Sequence, residues 1–260
     1  MASAQPTSRN MSEASAPVWS PIVDLRQYTL YAGARDDFVA LFDRELVETQ
    51  EAVGMRVIGQ FRDLGDPNRF VWLRGYPDMP SRERALTDFY VNGAAWKAHA
   101  EAARALFIDT SDALLLRPAR PQTGFVLDDP ARRPTLDSDP GESVVVATIY
   151  PLAAPVDESF LGFFESTVEP ALAAAGASKL ASFVSEHSPN NFPRLPLREG
   201  ENVFVFFAGF ASIEAYDRHM TALGRNSEWR SRIYPALLRH LRGRPQILRL
   251  APTSRSQLRG

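Results

Sequence analysis

Trp72, Arg74 and Tyr76 alternate along the run Phe70-Val71-Trp72-Leu73-Arg74-Gly75-Tyr76. In an extended strand this spacing puts all three on one face. In an apolar cleft, such an arginine can hold an anionic or phenolate-like group, and a tyrosine hydroxyl can donate a hydrogen bond. Arg26 and Tyr28 share a face of another strand-like stretch and can join them. The plainer reading makes Trp72 and Tyr76 core aromatics and pairs Arg74 with an acid. Of the four histidines, His187 is the acid/base candidate, because it follows Glu186 at a strand end beside a long loop; a solvated pair is the alternative. No two histidines have metal-ligand helix spacing, no His-Glu-x-x-His occurs, and no Gly-rich phosphate loop or serine nucleophile elbow is present. No metal site is expected.

Composition narrows the classes further. The 260 residues are 45% hydrophobic and 23% charged, the balance of a globular protein rather than a disordered or fibrous one. A net charge of −2 without a long basic run argues against nucleic acid as partner. The absence of cysteine excludes disulfides, thiolate nucleophiles and iron–sulfur clusters. No apolar stretch has the length of a membrane helix, and the Ser/Ala/Pro-rich N-terminus lacks the apolar segment of a secretory signal. A soluble, cytoplasmic protein that binds a small molecule is the simplest expectation.

The elements that must position these residues come in two copies. Tyr28, Leu30, Phe38, Phe42, Gly54 and Phe61 meet Tyr150, Leu152, Phe160, Phe164, Gly176 and Phe183 at a constant offset of 122. Beyond the Gly65-Asp66-Pro67-Asn68 turn the offset grows to 134, pairing Val71 with Val205 and Gly75 with Gly209. The step is the Pro-rich loop 188–201 of the second copy, which can be a lid, a contact surface or an inert insertion. Each copy spells β-α-β-β-α-β, the ferredoxin-like unit. The expected organisation is a flexible tail at 1–21, a repeat at 22–118, a Pro-rich linker at 119–142, a second repeat at 143–252 and a polar tail at 253–260. Such a unit carries helices on one sheet face only. Val71, Leu73 and Gly75 are small enough to lie under helices. That leaves Phe70, Trp72, Arg74 and Tyr76, with Phe204, Phe206, Ala208 and Phe210 of the second copy, on the bare faces. Packing the two sheets face to face would bury them in an eight-stranded, barrel-like α+β pseudo-dimer with Phe204 and Phe206 lining its cavity.

The first copy resembles the NIPSNAP family of the dimeric α+β barrel superfamily. The likeness rests on Arg26-Gln27-Tyr28-Thr29-Leu30-Tyr31-Ala32-Gly33, Ile58-Gly59-Gln60-Phe61, Phe70 to Tyr76, Ser81-Arg82-Glu83-Arg84 and Trp96. It is weaker in the second copy, where Tyr150, Phe210 and Trp229 remain but the Ser-Arg-Glu-Arg stretch is lost. The superfamily includes cofactor-free monooxygenases, cyclases, isomerases and haem enzymes. The resemblance implies an aromatic or polyketide-like substrate of secondary metabolism, transformed in the barrel cavity without a cofactor. Arg26, Arg74 and Tyr76 would then be catalytic, stabilising an enolate or phenolate. Tyr28, Trp72, Phe204, Phe206 and His187 would bind the substrate. A histidine-ligated haem is the lesser cofactor alternative, and a non-catalytic ligand-binding or protein-interaction module is the competing reading. The pseudo-dimer can also pair into a homodimer.

Overall fold

Strands form where β-branched and aromatic residues alternate, and helices where apolar residues recur every three or four positions. The computed structural model describes residues 20–127 and 132–260; most of the 1–21 segment lies outside the described residues. The strands are β1 (Ile22–Leu30), β2 (Arg56–Asp63), β3 (Arg69–Tyr76), β4 (Phe107–Pro118), β5 (Val144–Pro151), β6 (Ser178–Ser185), β7 (Val203–Phe210) and β8 (Gln246–Pro252). In the first repeat α1 (Arg35–Leu41) runs through a π-helical turn at Phe42–Leu46 into α2 (Val47–Glu51). Then α3 (Met79–Thr87) runs through a second π turn at Asp88–Asn92, breaks at Gly93 and resumes as α4 (Ala94–Arg104). The second repeat has α5 (Glu158–Phe163), a π turn at Phe164–Val168, α6 (Glu169–Ala174), α7 (Ile213–Arg225), a π turn at Trp229–Ile233 and α8 (Tyr234–Leu238).

Local chemistry sets the helix ends. Asp78, Asp157 and Ser212 cap α3, α5 and α7 by accepting the backbone N–H of Ser81, Phe160 and Ala215. Gly54 and Gly176 follow the first helical run of each repeat with φ of +90° and +104°, a conformation that costs glycine little. The equivalent glycines and equivalent π turns at Phe42 and Phe164 are structural marks of the duplication.

All eight strands close into one antiparallel barrel in the order β1-β3-β2-β8-β5-β7-β6-β4. The repeats are stitched at two seams. Phe61, Arg62 and Asp63 of β2 pair with Pro252, Ala251 and Leu250 of β8, and Leu116, Arg117 and Pro118 of β4 pair with Ser185, Val184 and Phe183 of β6. The chain is thus a single-polypeptide version of the dimeric α+β barrel.

The sheet faces are the reverse of the sequence expectation. Val71 and Leu73 point into the barrel with Val23, Leu25, Val205 and Phe207, whereas Phe70, Trp72, Arg74 and Tyr76 lie outside it, under the helices of their repeat. Phe204, Phe206 and Phe210 lie under the helices of the second repeat. The bore explains the choice. An eight-stranded barrel is just wide enough for side chains to fill, which suits mainly aliphatic residues. The thicker layer between sheet and helices accommodates aromatic rings and guanidinium groups.

Two segments expected to be peripheral complete the barrel core. Phe125 and Leu127, from the stretch expected to be a linker, join the interior, with the Phe125 ring edge-on to Phe207 at 4.9 Å and tilted against Phe183 at 5.0 Å. Leu258, from the expected polar tail, is also interior; its N–H donates to Ile58 O at 3.0 Å, and that of Thr253 to Gln60 O at 2.9 Å. The barrel interior is therefore packed with side chains and is not the cavity expected from the sequence. No helix among the described residues is long and apolar enough to cross a membrane.

Candidate functional site

The cavity lies outside the barrel, between the outer face of the first repeat's strands and its helices. Its volume is about 230 Å³. Strand residues Tyr28 and Trp72 form its floor, and Phe38 and Phe42 come from the helical run above. Phe42 meets Trp72 edge-on at 4.9 Å, and Tyr28 meets it at 5.9 Å. Tyr90, in the π turn after α3, and Trp96 of α4 close another wall, 4.9 Å apart. The last wall is the 188–201 loop of the second repeat, which contributes Phe192, Arg194 and Leu195. That loop is neither inert nor free. Arg82 donates to Asn191 Oδ1 at 2.7 Å and to Asn190 Oδ1 at 3.3 Å, and Asn191 Nδ2 donates to Met79 O at 2.6 Å.

Behind the aromatic floor sits a buried charge cluster. Asp24, Arg26, Arg74 and Arg82 are each fully inaccessible to solvent. Asp24 accepts from Arg74 Nε at 2.9 Å on one oxygen and from Arg82 Nε at 3.1 Å on the other; the Tyr76 hydroxyl lies 3.4 Å from the first. Burial alone would raise the Asp24 pKa, but the charges of Arg82, Arg74 and Arg26 outweigh it and hold it at about 2. Three guanidinium groups facing one carboxylate leave the cluster with two excess positive charges. Among the described residues, one terminal nitrogen on each arginine finds no hydrogen-bond partner: Nη1 of Arg26 and Nη2 of Arg74 and Arg82.

The cluster reaches the cavity through neutral groups. Arg74 Nη1 donates to the Tyr90 hydroxyl at 3.1 Å and to Gln50 Oε1 at 3.3 Å, and its guanidinium lies 4.7 Å from the Trp72 ring centre. Arg26 donates to the Tyr28 hydroxyl at 3.2 Å and to Thr110 O at 3.0 Å. Burial pushes the pKa values of Tyr76 and Tyr90 up despite the nearby Arg74, so both hydroxyls keep their protons at neutral pH. Tyr90 can therefore accept from Arg74 and donate its own proton into the cavity. Trp72 lines the cavity, and its indole N–H is buried without a partner. Among the described residues, no carboxylate or imidazole lines the cavity.

Five of the eight residues singled out from the sequence come together here. Trp72 and Tyr28 line the cavity, Arg26 and Arg74 stand directly behind its lining, and the hydroxyl of Tyr76 is turned to Asp24. Phe204 and Phe206 do not join them, because they fill the helix layer of the other repeat, against Phe164 at 4.5 and 5.4 Å. His187 lines a separate cleft of about 260 Å³ with Glu186 and Arg198. Its neighbour Glu186 accepts from the backbone and hydroxyl of Ser188. Asp24, Arg82 and Tyr90 are the site residues the sequence reading did not single out. Asp24 carried a signal: it is a carboxylate between Val23 and Leu25, two positions from Arg26 and so on the same strand face. Among the described residues, no group of three or more His, Asp or Glu is placed to hold a metal ion.

The fold is that of a dimeric α+β barrel closed within one chain. Residues 23–121, nearly the whole first repeat, match the NIPSNAP family model. Solved structures resemble nearly the whole chain in fold at low identity. A proposed monooxygenase from Fusobacterium nucleatum has a TM-score of 0.54 and 13% identity, over 93% of this chain and 98% of its own. An anthrone oxidase-like protein has a TM-score of 0.53 and 12% identity, over 89% of this chain and 90% of its own. A proposed monooxygenase from Lactobacillus acidophilus has a TM-score of 0.51 and 12% identity, over 90% and 94%. No curated protein matches the sequence.

Proposed function

We propose that the protein binds a small aromatic or polyketide-like molecule in the first-repeat cavity and transforms it without a cofactor, as an oxygenase, cyclase or isomerase. One observation carries this reading. The Tyr90 hydroxyl, polarised by Arg74, belongs to a residue lining an aromatic cavity that is floored by Trp72 and backed by two excess positive charges. Preorganised donors in a water-poor site stabilise an oxyanion that develops during reaction. With no base in the lining, the substrate has to be acidic enough to ionise once the site stabilises its enolate or phenolate. An anthrone meets that requirement, and its oxidation balances simply: anthrone and one dioxygen give the anthraquinone and one water. The proton at the central carbon passes to solvent water, the resulting anion adds dioxygen by electron transfer and takes a proton back, and the hydroperoxide formed at that carbon loses water to give the quinone. The anthrone oxidase-like and monooxygenase neighbours support this choice of class.

Oxygen uptake with a dihydroxyanthrone, followed with an oxygen electrode, tests it. Wild type should exceed the buffer rate, and Tyr90→Phe should lower the enzymatic rate about a hundredfold while keeping the melting profile. Uptake at the buffer rate with no ligand binding would refute the proposal. Binding without uptake would favour a carrier, a reading for which the base-free lining also speaks.

A further inference from the structure

The cavity mouth carries two arginines, Arg104 and Arg194. They come from different repeats. Arg104 is the last residue of α4, its guanidinium 5.6 Å from the Trp96 ring centre. Arg194 lies in the 188–201 loop. Both are exposed, and neither has a carboxylate partner among the described residues. The contrast on the same loop is informative: Arg198 is neutralised by Asp112 at 3.0 Å and by Glu201 at 2.6 Å. The backbone on either side of Arg194 is held in place. Asn190 Nδ2 donates to Leu195 O at 2.9 Å, Phe192 N–H to Asn190 Oδ1 at 3.1 Å, and Leu195 N–H to Phe192 O at 3.1 Å, so a closed turn presents it. Preorganisation of this kind lowers the entropy lost when a charged side chain takes a ligand.

Building on the proposed aromatic ligand, we infer that it is a carboxylic acid, with its carboxylate clamped at the mouth between Arg104 and Arg194. A volume of about 230 Å³ accommodates a small fused aromatic, and the aromatic walls lead outward from Trp72 past Tyr90 and Trp96 to the two guanidinium groups. The ring system lies inside with its ionisable oxygen toward Trp72 and Tyr90, and the carboxylate stays at the wet end, where guanidinium groups bind it with little desolvation. The long loop of the second repeat thereby supplies half of a specificity element for the site of the first.

Calorimetric titration of the full chain with a naphthalene carboxylate and with its neutral carboxamide separates this clamp from the cavity itself. The carboxylate should bind about tenfold tighter than the amide, and added salt should erode the preference, as screening of exposed charges requires. In the Arg104→Met/Arg194→Met double variant the preference should vanish, and in the double Lys variant it should return in part. Equal affinities in wild type would overturn the clamp and leave the aromatic cavity standing. A preference that survives in the Met variant would overturn the assignment to these two residues. Failure of both ligands to bind would overturn the cavity reading and the clamp together.

Discussion

Asp24→Asn tests whether one carboxylate holds the buried arginines in place. Asparagine keeps the side-chain shape and mimics the protonated acid. The wild-type group titrates at about 2, against 3.8 for a free aspartate. That drop corresponds to about 2 kcal/mol of stability from the ionised form. It is a lower bound, because the variant also leaves Arg26, Arg74 and Arg82 buried with no carboxylate among them, and removing one partner of a buried pair costs about 3–5 kcal/mol. The expected loss at neutral pH is therefore about 2–5 kcal/mol. Arg74→Met should cost less, since it keeps the Asp24–Arg82 pair and removes one of the excess charges. The folded-state pKa lies below the unfolded one, so the unfolded chain takes up the proton first as pH falls. The contribution is complete above about pH 5, about half gone near pH 3 and lost toward pH 2. Urea unfolding followed by circular dichroism, at several pH values from neutral to acid, reads both effects. A variant as stable as wild type at neutral pH would refute the reasoning. So would a stability gap that stays constant below pH 4.

Two further predictions probe the loop and the chain end. Asn191→Ala removes the shorter of the loop's two bonds from Arg82 and the bond to Met79 O, so amide exchange across 188–197 should rise well above wild type, and stability should fall by about 1–3 kcal/mol; unchanged exchange in mass spectrometry would mean the loop is held by its remaining contacts, Phe192 packing among them. Leu258→Ala should cost about 2–5 kcal/mol in thermal unfolding, because this side chain is 4% exposed inside the barrel. A loss below about 0.5 kcal/mol, the range of surface substitutions, would return the segment to the status of a surface tail.

Element order was legible because period and punctuation agree along the chain. Phe38, Phe42 and Leu46 mark the first helical run, and alternation marks β3. The orientation of the sheets was not legible. Alternation tells which side chains share a face, and it does not tell which face turns inward. Ring size suggested that Trp72 and Tyr76 needed the barrel interior; the narrow bore excludes them, and the helix layer takes them. Tyr90 was hidden for a different reason. It sits in a π turn, where the 3.6-residue period fails, so its side chain points somewhere the helical pattern does not forecast. Arg82 was visible only as part of the Ser-Arg-Glu-Arg stretch, and nothing in the spacing ties it to Asp24, 58 positions away. The peripheral look of 253–260 came from its polar composition, yet Thr253 and Ser256 bury their polar backbone by pairing with β2 and with the segment itself.

The two repeats divide the work of the barrel between them. At the positions of Asp24, Arg26, Trp72, Arg74 and Tyr76, the second repeat has Val146, Thr148, Phe206, Ala208 and Phe210. Its helix layer is a continuous apolar cluster, with Phe160, Phe164 and Tyr150 around Phe204. Replacing buried ions by well-packed apolar groups is neutral or stabilising, often by about 1–4 kcal/mol. A symmetric dimer would carry the buried, positively charged layer twice. Duplication within one chain lets one copy keep it and frees the other to add stability through both seams. The same freedom explains the loop. An insertion in the second repeat need not preserve a site of its own, so it can reach across to the first, fix itself on Arg82 and present Phe192 and Arg194 to a cavity that the first repeat alone leaves open.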